Sequence, residues 1–195
     1  MLRFRVLSLI YLLLSNSHQY LCLQEDYYWR QYTGEVPKDA VVGGQDINHK
    51  DVYIGQAYVK NEGLFVVQIF ADRKEIYAPI KGMKKIEGNI IKILCGPQEN
   101  FYWISVNSSN LHLQLLHQHA VIGGHEDRSG VLNIGRISYE GETKIGKINS
   151  FNVGNALFFF NRNQKEEHVN SYEILLYKEN NLDIDARSIT VASNK

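Results

Sequence analysis

Apolar residues alternate with polar ones over short runs, and Gly, Asn, Asp or Pro interrupts those runs at intervals of about 8–12 residues, the rhythm of short strands. Residues 52–54 and 56–59 read as strands. Asn61-Glu62-Gly63 predicts a hairpin turn into a strand over 64–70. Residues 71–74 predict a turn before 75–80, Lys81-Gly82 a break, and 89–94 a further strand. Gly96-Pro97 then marks a boundary. Beyond it, strands are predicted over 101–106, 132–138, 143–148, 156–160 and 171–177. Glu140-Gly141-Glu142 reads as a turn, and residues 27–46 and 161–167 read as turns and polar loop. No stretch after residue 20 holds a helical period for three turns. Residues 111–116 are the nearest to one and are read as loop.

The pattern occurs twice. Ala40-Val41-Val42-Gly43-Gly44 returns as Ala120-Val121-Ile122-Gly123-Gly124, and Ile54-Gly55 as Ile134-Gly135, both displaced by 80 residues. Trp29 and Trp103 precede the two boxes and read as core pillars. A period of this length is a structural unit in duplicate. The expected fold is therefore all-β, with two tandem pseudo-symmetric antiparallel β units packed as a sandwich- or barrel-like single body. The first repeat is expected over 27–96, the second over 101–178, and a polar tail over 179–195. The linker Gly96-Pro97-Gln98 is too short for a hinge, so the copies are expected to pack together and exchange strands.

Composition narrows the class. Basic and acidic side chains number 21 each. A neutral chain lacks the basic stripe that displaces phosphate counterions, which argues against nucleic acid as partner. Arg3 and Arg5, an apolar run over 6–14, and small Ser15 and Ser17 predict a secretory signal peptide over 1–17, with its boundary extending to about residue 22. The apolar run is too short to span a bilayer. The expected location is extracellular, where a disulfide is allowed. Cys22 and Cys95 are the only cysteines. Cleavage after Ser17 retains Cys22 as a partner for Cys95; later cleavage leaves Cys95 a lone thiol. Asn107-Ser108-Ser109 is a glycosylation sequon.

Trp29, Gly34, Pro37, Ala40–Asp46 and Tyr53–Ala57, with Ala120–Gly124, Ile134-Gly135-Arg136, Ile145-Gly146-Lys147 and Tyr172–Leu175, resemble the DM-nine (natterin-related) repeat family. The resemblance covers about residues 27–178. It implies a tandem all-β unit, and in some members a mannose-binding lectin of innate immunity. It also implies a sugar site in which an acid two positions past the Gly-Gly pair works with a Lys in a glycine turn. The acid is Asp46 in the first copy and Glu126, with Asp127 beside it, in the second. The Lys is Lys147 in the second copy, whereas the matching stretch of the first reads Val66-Val67-Gln68. A composite site of Asp46 with Lys147 stays open, and these two are the leading expected ligand contacts, with Glu126 second.

That pairing makes chemical sense. A carboxylate accepts from two adjacent sugar hydroxyls and an ammonium donates to their oxygens, in charge-assisted bonds stronger than neutral ones. Turn chemistry alone also places acids at such positions. His112, His117, His119 and His125 lie within fourteen residues, but their spacing matches no zinc cluster, so neither metal nor cofactor is expected. The chain has no nucleophile elbow, phosphate loop or His-Glu-x-x-His, so no enzyme is expected. The expected function is a secreted, lectin-like carbohydrate-binding protein whose partner is a glycan or microbial surface, with a homodimer left open. The alternative is a secreted structural or protein-interaction module whose sugar site has decayed, as Gln68 suggests.

Overall fold

The computed structural model describes residues 27–86 and 91–178. The predicted leader over 1–17, Cys22 and the tail over 179–195 lie outside them. The first half holds β1 (Tyr28–Gln31), β2 (Val42–Gln45), β3 (Asp51–Val59), β4 (Gly63–Phe70), β5 (Tyr77–Pro79), β6 (Met83–Lys85) and β7 (Ile91–Cys95). The second half holds β8 (Phe101–Asn107), α1 (Leu111–Gln114), β9 (His119–Ala120), β10 (Ile122–Glu126), β11 (Gly130–Tyr139) and β12 (Glu142–Ile148). It ends with β13 (Phe158–Arg162), β14 (Lys165–Val169) and β15 (Ser171–Tyr177). The fold is all-β, and every strand pair is antiparallel.

The halves repeat each other in register. In the first, Gly55 pairs with both Val67 and Ile93. In the second, Gly135 pairs with both Gly146 and Ile174. Trp29 stands opposite Leu94 as Trp103 stands opposite Leu175. A single sheet of thirteen strands runs through both halves, joined where β4 pairs with β10 at Leu64–His125 and Gly63–Glu126.

The duplicated boxes explain how the halves lock. A side chain at Gly43 would strike Ile145, and one at Gly123 would strike Val66, its counterpart. One at Gly44 would strike Thr143, and one at Gly124 the Leu64 carbonyl, again counterparts. Each Gly-Gly strand thus lies against the other copy's second hairpin strand, and only glycine allows the approach. The residue after each Ile-Gly box completes the clasp. Gln56 Nε2 donates to the Gly123 carbonyl at 2.9 Å, and Arg136 Nη1 donates to the Gly43 carbonyl at 2.9 Å. A buried carbonyl between two β hairpins needs a donor, and the opposite copy supplies it.

Burial follows the same symmetry. One apolar cluster belongs mostly to the first half, around Phe65, Ile69 and Ile93, and one to the second, around Phe158, Phe160 and Ile174. A third is shared: Val41 with Val121, Ile54 with Ile134, Val66 with Ile145, and Leu94 with Leu175. Trp29 and Trp103 pack against this shared cluster, as expected of core pillars.

Four local expectations need correction. Residues 52–59 form one strand through Gly55, not two. The stretch 27–46 contains β1 and β2 among its turns. Residues 111–114 form a single helical turn, because fully buried Leu111 pins a segment otherwise exposed. Residues 161–167 are a hairpin, not a loop: Asn163 and Gln164 both take positive φ, the two-residue turn that matches strand twist. Its strand β14 pairs only with β13 and carries exposed Lys165 and His168, so no apolar alternation betrayed it.

Candidate functional site

β11 and β12 bring the second copy's acid and lysine together. Ile134 pairs with Lys147 in that hairpin, and β10 delivers Glu126 from the neighbouring strand. Lys147 Nζ lies 2.5 Å from Glu126 Oε1 and 3.7 Å from Glu166 Oε1. It also sits 5.2 Å from the Phe65 ring centre and 5.1 Å from that of Phe159. The Lys147 side chain is only 5 % exposed, against 22 % for Glu126 and 15 % for Glu166. A buried ammonium is tolerable only with such partners; two carboxylates and two ring faces supply them. Glu166 is further held by the Gly82 N–H at 2.8 Å, donated by the turn between β5 and β6. Glu126 and Asp127 line a shallow depression of about 410 Å³ at the β10–β11 turn. There the Asp127 carboxylate faces His125 Nε2 at 3.5 Å and is 40 % exposed.

The first copy uses the same frame differently. Ile54 pairs with Gln68, the counterpart of Lys147, as the alignment by sequence places it. Gln68 Nε2 donates to the Thr143 carbonyl at 3.3 Å. Asp46 turns into its own loop, where Oδ1 accepts from the backbone N–H of Asn48 at 2.8 Å and of Lys50 at 3.0 Å. Its side chain is 1 % exposed, and its one cation within ion-pair range is Arg73, at 3.6 Å. The Lys50 N–H, then that of Asn48 and the Arg73 charge, hold this carboxyl below its usual value against the opposing effect of burial. The structure therefore does not bring Asp46 to Lys147, and their ionic partners are different residues.

A cleft of about 480 Å³ opens between the copies instead, with Val66, Val67 and Ile145 at its floor. Gln68, Arg73, Lys74, Tyr77, Glu142 and Lys144 are among its walls. Lys144 is paired with Glu142 at 2.6 Å.

The remaining predicted positions are local. Cys95 is buried, with no disulfide partner among the described residues, and burial chiefly pushes its thiol pKa up. Asn107 ends β8, and its Oδ1 accepts from both the N–H and the hydroxyl of Ser109. The histidines do not converge. His112 Nε2 donates to the Ser150 carbonyl at 2.7 Å, and His119 lies against the Tyr177 ring. No group of three His, Cys, Asp or Glu side chains among the described residues is set to hold a metal. Sequence reasoning passed over Glu166, Arg73 and Lys144. Glu166 lay in a stretch read as loop, and the register Asn161–Glu166 that aims it inward exists only once β14 pairs.

Fold and site together define a duplicated, interlocked β module with no helix, among the described residues, long and apolar enough to cross a membrane. The family model of the DM9 repeat matches residues 61–162, over half of the chain, and the chain belongs to that family. The match starts in the first hairpin turn and ends in β13, so it spans the join between the copies. Among solved structures, the nematode sperm cell motility protein MFP2B shares the fold with a TM-score of 0.52 and 13 % identity. That likeness covers 79 % of this chain and 46 % of MFP2B, so this chain spans just under half of that protein's length. No curated protein sequence matches.

Proposed function

We propose that this protein is a secreted, non-enzymatic carbohydrate-binding module that reads neutral, mannose-type glycans on microbial surfaces. The observation that carries the reading is the contact of Glu126 with Lys147, which lie 21 positions apart in sequence and meet at 2.5 Å. The family resemblance asks for this acid–lysine pair. Lys147 is too deeply buried to offer much surface, so it fixes the Glu126 carboxylate while that carboxylate and Asp127 face the ligand. Adjacent sugar hydroxyls donate to the exposed carboxylate edges in charge-assisted bonds. The depression is shallow, which favours weak binding per site and strength through multivalent surfaces.

A glycan array probed with wild type, Glu126→Gln and Asp127→Asn tests this. The expected result is binding to mannose-type glycans by wild type, reduced about tenfold or more in Glu126→Gln, a loss on the scale of one charged hydrogen bond. Wild-type protein that ignores every neutral glycan at millimolar concentration favours the second reading. In that reading the module joins proteins and Lys147 is a structural ion pair, as its saturation by two carboxylates favours.

A further inference from the structure

The cleft between the copies is not a fainter version of the Glu126–Lys147 site; its charge is reversed. In the second copy one ammonium faces two carboxylates. In the cleft three cations, Arg73, Lys74 and Lys144, face two carboxylates, Glu75 and Glu142. Both acids are already engaged, Glu142 by Lys144 and Glu75 by Lys85 and the Tyr77 hydroxyl. The counterpart of Glu126, Asp46, is locked into its loop behind Arg73 and does not line the cleft. Lys74 forms no ion pair among the described residues and is exposed. Arg73 is half exposed: its guanidinium stacks 4.0 Å above the Phe70 ring, with Asp46 3.6 Å from one nitrogen and Asp72 4.0 Å from another. Lys144 is a difference between the copies, since it pairs with Ile137 where Phe65 pairs with Ala57.

We infer that this cleft binds an anionic saccharide, one whose ring bears a carboxylate or a sulfate. The acidic group accepts from Arg73 and Lys74, planar and point donors side by side. Lys144 and the Gln68 amide meet ring hydroxyls, and Tyr77 offers an apolar face to the ring. The volume lies within the range of about 300–1,000 Å³ usual for small-ligand sites. Asp46 acts as a positioning residue through Arg73 and does not touch the ligand.

Isothermal titration with a trisaccharide of hexuronate, a sulfated trisaccharide and neutral mannotriose tests the inference. Wild type is expected to bind at least one acidic probe, and which one it binds identifies the acidic group. Raising salt from roughly 0.05 to 0.3 M is expected to weaken that binding several-fold, since the ionic contacts are partly screened. Arg73→Gln/Lys74→Gln, both on exposed positions and checked for fold by circular dichroism, is expected to weaken it at least about tenfold, as is Lys144→Gln, on the scale of a lost charge-assisted bond. Glu126→Gln is expected to leave it unchanged, which separates this site from the neutral-glycan site. Failure of folded wild type to bind either acidic probe overturns the inference. So does binding that the Arg73/Lys74 variant retains in full, or mannotriose competing equally for the cleft.

Discussion

The two hairpins, β3–β4 and β11–β12, share a backbone register, and among the positions where they differ are two neighbours: Val67-Gln68 in one, Gly146-Lys147 in the other. The consequences reach well beyond those residues. A side chain at Gly146 would lie 2.0 Å from the Phe159 carbonyl, so glycine there lets β13 pair with β12. With β13 comes β14, and with β14 comes Glu166 onto Lys147. In the first copy Val67 stands at that position, and β5 forms a separate two-stranded sheet with β6. The room left beside it is the cleft. Glycine at 146 is therefore required for the close approach of the third strand in the second copy, a strand that the first copy, with Val67 there, lacks.

Making the second copy resemble the first should have the largest effect. Gly146→Val is expected to destabilise by about 4 kcal/mol or more, because the new side chain meets backbone and breaks the β12–β13 pairing. Urea unfolding measures it; a cost under about 1 kcal/mol would show that glycine is not required there. Lys147→Gln comes next. It leaves Glu126 and Glu166 facing each other without a cation, at a cost of about 2–3 kcal/mol, below the cost of breaking a fully buried pair because both acids keep some solvent. Adding Glu166→Gln should recover part of that loss. The converse change, Gln68→Lys, should alter stability by less than about 1 kcal/mol, since the acids that line the same cleft, Glu75 and Glu142, already have cationic partners.

The smallest expected effect concerns the acids themselves. Asp46 has a lowered folded pKa, so its contribution is present above the usual carboxylate range and is lost as pH falls through the lowered value. Asp46→Asn should therefore flatten the acid limb of stability below about pH 4. Melting temperatures across pH 2–6 would show this, and identical acid limbs for wild type and Asp46→Asn would contradict the loop-locked role.

Much of the fold is legible in the chain. The 80-residue displacement places Gly55 with Gly135, and both hold the same place between two partner strands. The turn at Asn61 and Gly63, and Gly141 in the matching turn, carry the positive φ angles that their residue types foretell, whereas Glu140 takes one that its type does not. The edge hairpin β13–β14 was half hidden, because a solvated strand carries no burial pattern. Of the candidate site, the Glu126–Lys147 pair came through the repeat and the family resemblance. The turning-in of Asp46 did not, because an acid beside a turn reads the same whether it bonds its own loop or faces solvent.

Local chemistry in the sequence determined the strands, the turns, the duplication and the β class, since alternation and turn preference act within a few residues. Only the tertiary structure decided which copy grips which. The Gly43 carbonyl finds Arg136, and the Gly123 carbonyl finds Gln56, across separations of 93 and 67 residues. It also decided that one acid is buried, another pairs with a lysine, and a cleft of positive charge lies between the halves. Those outcomes depend on packing between distant strands, where a single Cβ makes or forbids the approach.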